Sequence, residues 1–227
     1  MRNKLAILLF LFTFSYGQSL EWQDISENYS SLRASVILYT ATRQNPKLEI
    51  FYLDVDMNDT TIAVRSYLSS TKKTLPNLSD DFETIAAVNG GFFGGNVSYS
   101  SVIYPDMVKA TNIAAVTRNS KSYPLLRSLF SIDTSLTPAV NWIYHFDQSM
   151  QGIYSFDEPL AYSYNDPTPK PIPDKNEGTR LHLLTGIGGG PTLIKDGEKQ
   201  VSYNQEVMWG SGVGLDNNDP RTAVGYT

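Results

Sequence analysis

Thr192-Leu193-Ile194-Lys195-Asp196-Gly197-Glu198-Lys199-Gln200-Val201 sets an Asp-Gly pair between two arms that read as strands. A two-residue hairpin loop matches the right-handed twist of its strands as a type I′ or II′ turn, and Asp-Gly supplies residues that tolerate positive φ at both central positions. The stretch therefore predicts an antiparallel hairpin. Immediately upstream, Gly186-Ile187-Gly188-Gly189-Gly190-Pro191 has a superficial likeness to a dinucleotide-binding loop. That loop requires a helix to follow it, and Pro191 with the hairpin forbids one. No Gly-Lys-Ser/Thr follows any glycine run, so a P-loop is excluded too.

Working outward from the hairpin, β-branched and aromatic residues mark strands at Ala34 to Thr40 and Leu48 to Asp56, separated by Asn45-Pro46, and Thr60 to Ser66 extends the pattern. A short helix start spans Asn77 to Glu83, with cap residues followed by acids. It feeds the apolar run Ile85-Ala86-Ala87-Val88, short enough for a buried strand, which stops at Asn89-Gly90-Gly91. Asn112 to Thr117, Leu125 to Ile132 and Ala139 to Phe146 read as three more strands. Between Asp157 and Gly178, prolines at 159, 167, 169, 171 and 173 prevent both helix and central strand, so this is an extended surface loop, either a lid or a plain insertion. Strand-like runs outnumber helical ones throughout. The expected fold is α+β, a single domain over residues 18–227 dominated by antiparallel β-sheet with few helices.

Arg2 and Lys4 precede an apolar run from Leu5 to Phe14 and then Ser15-Tyr16-Gly17, the layout of a cleaved secretory signal. Residues 1–17 are therefore set apart as a signal peptide. The run is too short to span a bilayer, which takes about 20 residues, so export without a stable membrane anchor is expected. The formal charge of −5 becomes −7 once Arg2 and Lys4 are removed, with 16 basic against 23 acidic residues, and such a chain has no electrostatic footprint for nucleic acid. The absence of cysteine excludes thiol catalysis and cysteine metal sites. With only His145 and His182, a three-histidine metal centre is impossible. Neither a metal nor a cofactor is called for.

Three segments share one chemistry: Asn89-Gly90-Gly91-Phe92-Phe93, Gly188-Gly189-Gly190-Pro191-Thr192-Leu193 and Arg221-Thr222-Ala223-Val224-Gly225. Glycine removes the Cβ that keeps a ligand from the backbone, so successive N–H groups can converge on an anion, and arginine adds a planar fork of donors. In this order, over roughly residues 47–227, the motifs resemble the phosphodiester glycosidase family, the family of the uncovering enzyme. The resemblance implies hydrolysis, at the anomeric carbon, of a sugar-1-phosphodiester of the N-acetylglucosamine kind, with a sugar phosphodiester or phosphate-linked glycan as partner. By motif it implies Asn89, Gly90, Gly91 and Phe92 in a first active-site turn, Gly189, Gly190 and Pro191 in a second, and Arg221 with Thr222 in a third. Asp54, within the Leu48 to Asp56 strand, falls where the family tends to place an acid. The family pattern carries a further Asp-Gly-Gly-Gly-Ser motif that is not reached before Thr227, so the expected domain is incomplete at its C-terminus. The carboxylate that attacks or activates water is then Asp54 or an acid beyond Thr227. Phe92 or Phe93 is either a platform for the sugar or a core residue. The other class open to the sequence is an exported carbohydrate-binding or cell-surface interaction domain without turnover, suited by 14 Tyr, 10 Phe and 3 Trp.

Overall fold

The computed structural model describes residues 20–79 and 84–227. The signal-peptide reading of residues 1–17 and the 80–83 part of the helix start lie outside the described residues. The architecture is mostly antiparallel β-sheet with few helices, an α+β fold. The chain divides into two compact units, Met1–Ile62 and Ala63–Thr227.

In the first unit, β1 (Gln23–Asp24), β2 (Val36–Arg43) and β3 (Leu48–Val55) form a three-stranded antiparallel sheet in that order. The hairpin of β2 and β3 pairs throughout its length, from Val36↔Val55 to Arg43↔Leu48, around Asn45-Pro46. The strand expected over Thr60 to Ser66 does not form. Asp59 instead accepts hydrogen bonds from the Thr61 N–H at 2.9 Å and the Thr61 hydroxyl at 2.6 Å, and this local side-chain turn competes with ladder pairing.

The second unit opens with a short helix, α1 (Leu75–Ser79), and continues through β4 (Phe93–Gly94), β5 (Val97–Ser98), β6 (Val102–Tyr104), β7 (Met107–Ala110), β8 (Ala115–Arg118), β9 (Lys121–Pro124), β10 (Arg127–Asp133), β11 (Pro138–His145), β12 (Ile153–Phe156), β13 (Thr179–Arg180) and β14 (Leu183–Gly188). It ends with the hairpin β15 (Ile194–Lys195) and β16 (Glu198–Lys199). The main sheet runs β13-β12-β11-β10-β14-β6-β7 with antiparallel pairing throughout. Ile103, Leu129, Ile143, Ile153 and Leu183 form the core cluster on it. Gly186 makes this packing possible: it pairs with Ile103 on one side and Ser131 on the other, and a Cβ there would lie 3.2 Å from Leu129 Cδ1 and 3.4 Å from Ile103 Cδ1. A bare position on β14 lets side chains of its two neighbours meet over it.

The 192–201 hairpin forms as read, with Asp196 at φ 52 and Gly197 at φ 80. Ile85 to Val88 is not a strand, and Val88 is 64% exposed. Four apolar residues hold strand geometry only when a neighbouring strand takes their backbone groups, and none pairs with them among the described residues. The proline-rich loop is irregular as expected, and it is tied down rather than free. Tyr123 and Tyr162 donate to the carbonyls of Asp166 and Pro124 at 2.6 and 2.9 Å, and Lys121 Nζ donates to the Pro167 carbonyl at 2.6 Å. Tyr162 also packs in a buried cluster with Tyr123, Leu125, Val207 and Trp209, so the first half of the loop is part of the packed unit.

Candidate functional site

The first two motifs meet at the C-terminal end of β14. A Cβ on Gly91 would overlap the Gly188 carbonyl oxygen and the Ser100 side chain, so the two glycine turns are packed backbone to backbone. Gly90 stands over β14, where a Cβ would be 3.0 Å from Ile187 Cδ1. Ser100 Oγ accepts the Phe92 N–H at 2.8 Å and fixes the first turn from below. The third motif joins them through Thr222, whose hydroxyl donates to Asn89 Oδ1 at 2.9 Å across 133 positions of sequence.

The three glycines of the second turn have different reasons to be glycine. At Gly188 a Cβ would come within 2.5 Å of Asn112 Oδ1, and at Gly190, with φ 134, it would overlap Glu206 Oε2. Gly189 lies between them with nothing within 4 Å of a Cβ position and no left-handed φ, so neither strain nor packing dictates its identity. The N–H groups of Gly188 and Gly189 are already used, bonding the carbonyls of Ser101 at 2.7 Å and Ser128 at 2.9 Å. Those of Gly90, Gly91 and Gly190 meet no acceptor among the described residues. The unpaired N–H donors are therefore those of Gly90, Gly91 and Gly190, narrower than the whole of both turns.

Arg221 departs from the expected arrangement. Its guanidinium is exposed and donates to Asp219 Oδ2 at 3.2 Å and to the Pro220 carbonyl at 3.0 Å, not toward the glycine turns. A proline and a carboxylate one and two residues away satisfy the fork locally. Such an exposed pair is worth about 0–1 kcal/mol, so a phosphate presented to the same fork competes with it easily. A cation the sequence did not single out is nearer the first turn: Lys72 Nζ lies 5.6 Å from the centroid of the Phe93 ring. Phe93 is 65% exposed and Phe92 half-buried, and neither belongs to a core cluster. Asp54 is exposed on β3 opposite Ile37, in the first unit.

Two buried polar clusters flank the second turn, and both escaped the sequence reading. Beside Gly188, Asn112 Oδ1 accepts the Ser101 N–H at 2.7 Å, and Ser101 Oγ meets His145 Nε2 at 3.1 Å. The Ser101 bond fixes which way the Asn112 amide points and leaves Asn112 Nδ2, like His145 Nδ1, buried without a partner. Burial pushes the His145 imidazole down to about 4, so it is neutral at physiological pH. Ser101 is fully buried and His145 half-buried, and their bond links the chain ahead of β6 to the end of β11. Beside Gly190, Glu206 is wholly buried and accepts from Ser128, Trp142, Thr192 and Ser202. Its one local signal is its position at the head of the buried run Val207-Met208-Trp209.

A groove of about 440 Å³ opens at the opposite end of β10 and β14, lined by Ser131, Asp133, Asn141, Arg180 and His182 among others. Its charged groups are engaged locally, Asp133 with the N–H groups of Ser135 and Thr137 and Arg180 with His182. Unpaired backbone donors together with motif convergence favour the glycine turns. Among the described residues no group of three or more His, Cys, Asp or Glu side chains gathers to hold a metal, and no helix is long and apolar enough to cross a membrane. Compared with protein-family models, curated proteins and solved structures, the chain matches none of them.

Proposed function

We propose that this protein is an exported hydrolase that cleaves a sugar-1-phosphodiester of the N-acetylglucosamine-1-phosphodiester kind at the anomeric carbon. The observation that carries the reading is the convergence of the three motifs, with Gly91 packed on the Gly188 carbonyl and Thr222 bonded to Asn89. The unpaired N–H groups of Gly90, Gly91 and Gly190 suit a phosphoryl group's oxygens, and the bare Gly189 backbone suits close approach by a ligand. The exposed Phe93 ring suits the apolar face of a sugar. Arg221, freed from Asp219, adds a bidentate grip on the same phosphate.

In the reaction the C1–O bond breaks, water supplies the new C1 hydroxyl and gives its other proton to the departing phosphate or to solvent, and the phosphate monoester leaves with the bonding electron pair. Because that leaving group is already a stabilised anion, donors aimed at its developing charge supply more of the acceleration than a strong general acid. Incubation with the methyl diester of N-acetylglucosamine 1-phosphate should release free reducing N-acetylglucosamine and methyl phosphate. Saturable binding of the diester with no sugar released would instead establish an exported carbohydrate-binding domain.

A further inference from the structure

We infer that Glu206 is the positioning residue of the second glycine turn, an inference that rests on the reading of that turn as the anion-binding element. Glu206 Oε1 accepts from Ser128 Oγ and Ser202 Oγ at 2.6 Å each, from the Thr192 N–H at 2.8 Å and from Trp142 Nε1 at 3.2 Å. Oε2 accepts the Ser128 N–H at 3.1 Å and lies beneath Gly190, in the space a side chain there would fill. Arg127, whose guanidinium contacts Met208 Sδ, adds positive charge beside the same carboxylate.

The geometry pins both ends of the turn to one residue of β10. At the near end, the Ser128 carbonyl holds the Gly189 N–H directly. At the far end, Thr192 is held through Glu206 and through its own hydroxyl, 2.6 Å from Ser128 Oγ. Ser128 has one hydroxyl proton and gives it to Glu206, so the Thr192 hydroxyl is the donor in that last bond. Gly190 and Pro191 are suspended between these anchors, and the direction of the free Gly190 N–H follows from them. A residue with this role is silent in direct contact with substrate and acts through the turn alone.

Glu206→Gln keeps the shape and can keep the oxygen facing four donors, and it then sets an NH₂ against the Ser128 N–H. Two measurements on the full chain test the assignment. In amide hydrogen exchange, Ser128, Gly189 and Thr192 should exchange about ten-fold or more faster in the Gln variant while the β12–β13 pairing is unchanged. Acceleration spread evenly over the sheet, or none at the turn, would overturn the assignment. In kinetics with the methyl diester of N-acetylglucosamine 1-phosphate, at a temperature where all variants are folded, Glu206→Gln should lower kcat/KM about ten-fold. Adding Gly189→Ala to it should then cost far less than the same change costs in the wild type. A methyl group at Gly189 would meet no atom within 4 Å, Glu206 included, so a merely structural carboxylate predicts additive losses, and additivity would count against the assignment. A wild-type protein that leaves the diester intact defeats the functional reading, and the exchange pattern alone then decides the role of Glu206. Should the Gln variant fail to fold, Ser128→Ala removes the hydroxyl relay but keeps the backbone bonds, and must speed exchange at Thr192 selectively for the inference to stand.

Discussion

Gly189 and Arg221 are the two positions at which a single substitution speaks most directly. Gly189 has room for a methyl group and an ordinary backbone, so Gly189→Ala should leave stability unchanged or raise it by up to about 1 kcal/mol through the unfolded chain. A methyl group there nonetheless occupies space on the face where a ligand would lie against the backbone, and kcat/KM for the diester should fall about ten-fold. Thermal melts beside steady-state kinetics check both halves, and an Ala variant of undiminished kcat/KM would remove the turn as binding surface. At Arg221 the guanidinium is held outside the turns by Asp219 at 3.2 Å, so it must swing to serve. Arg221→Ala should lower kcat/KM by at most about 10²-fold, the loss of a preorganised anion donor being the upper limit for a fork that must first swing in, while Asp219→Asn, which frees the fork, should lower KM. Kinetics on the pair test this, since equal and negligible effects would leave the arginine a solvated surface charge.

At the scale of elements, the contact of the two glycine turns is the feature on which the site depends. Gly91→Ala has no free volume, because the Gly188 carbonyl and the Ser100 Cβ both stand where the methyl group would go, and should destabilise the protein by about 1–3 kcal/mol in urea unfolding. Much of this framework was legible in the sequence. Asp196-Gly197 demands two positive φ values and receives them, and the long β-branched runs became β2, β3, β10 and β11. Where the sequence misled, a local or tertiary partner decided the outcome. Thr61 was captured by Asp59, and Ile85 to Val88 found no strand to pair with among the described residues. Glu206 was invisible because its donors come from positions as far as 64 and 78 residues away, and no local pattern announces a carboxylate that the fold will bury. The motifs led to the expectation of the Arg221 guanidinium beside the glycine turns; the fold instead brings Thr222 to Asn89, and the rotamer of Arg221, set by Asp219 and Pro220, was beyond any motif.

At the scale of the whole molecule, stability should respond to one buried imidazole. His145 titrates near 4 when folded and near 6.5 when unfolded, so the unfolded chain takes up its proton first as pH falls. The stability it contributes is complete above about pH 6.5, declines through the interval and is gone below about pH 4, a loss of at most about 3 kcal/mol. Urea unfolding at pH 7, 5.5 and 4 should show this decline in the wild type and a flatter profile in His145→Gln, and identical profiles would contradict the burial of a neutral imidazole. The backbone N–H groups of the glycine turns do not titrate, so in the proposed reading the site adds no such limit of its own. The role proposed for these turns is to hold the phosphate while the bond to the sugar carbon breaks. The direct measurement is hydrolysis of the methyl diester of N-acetylglucosamine 1-phosphate in oxygen-18 water, with mass analysis of both products. Label in the released sugar and none in methyl phosphate is the predicted result; label in the phosphate, or no hydrolysis at all, would contradict it.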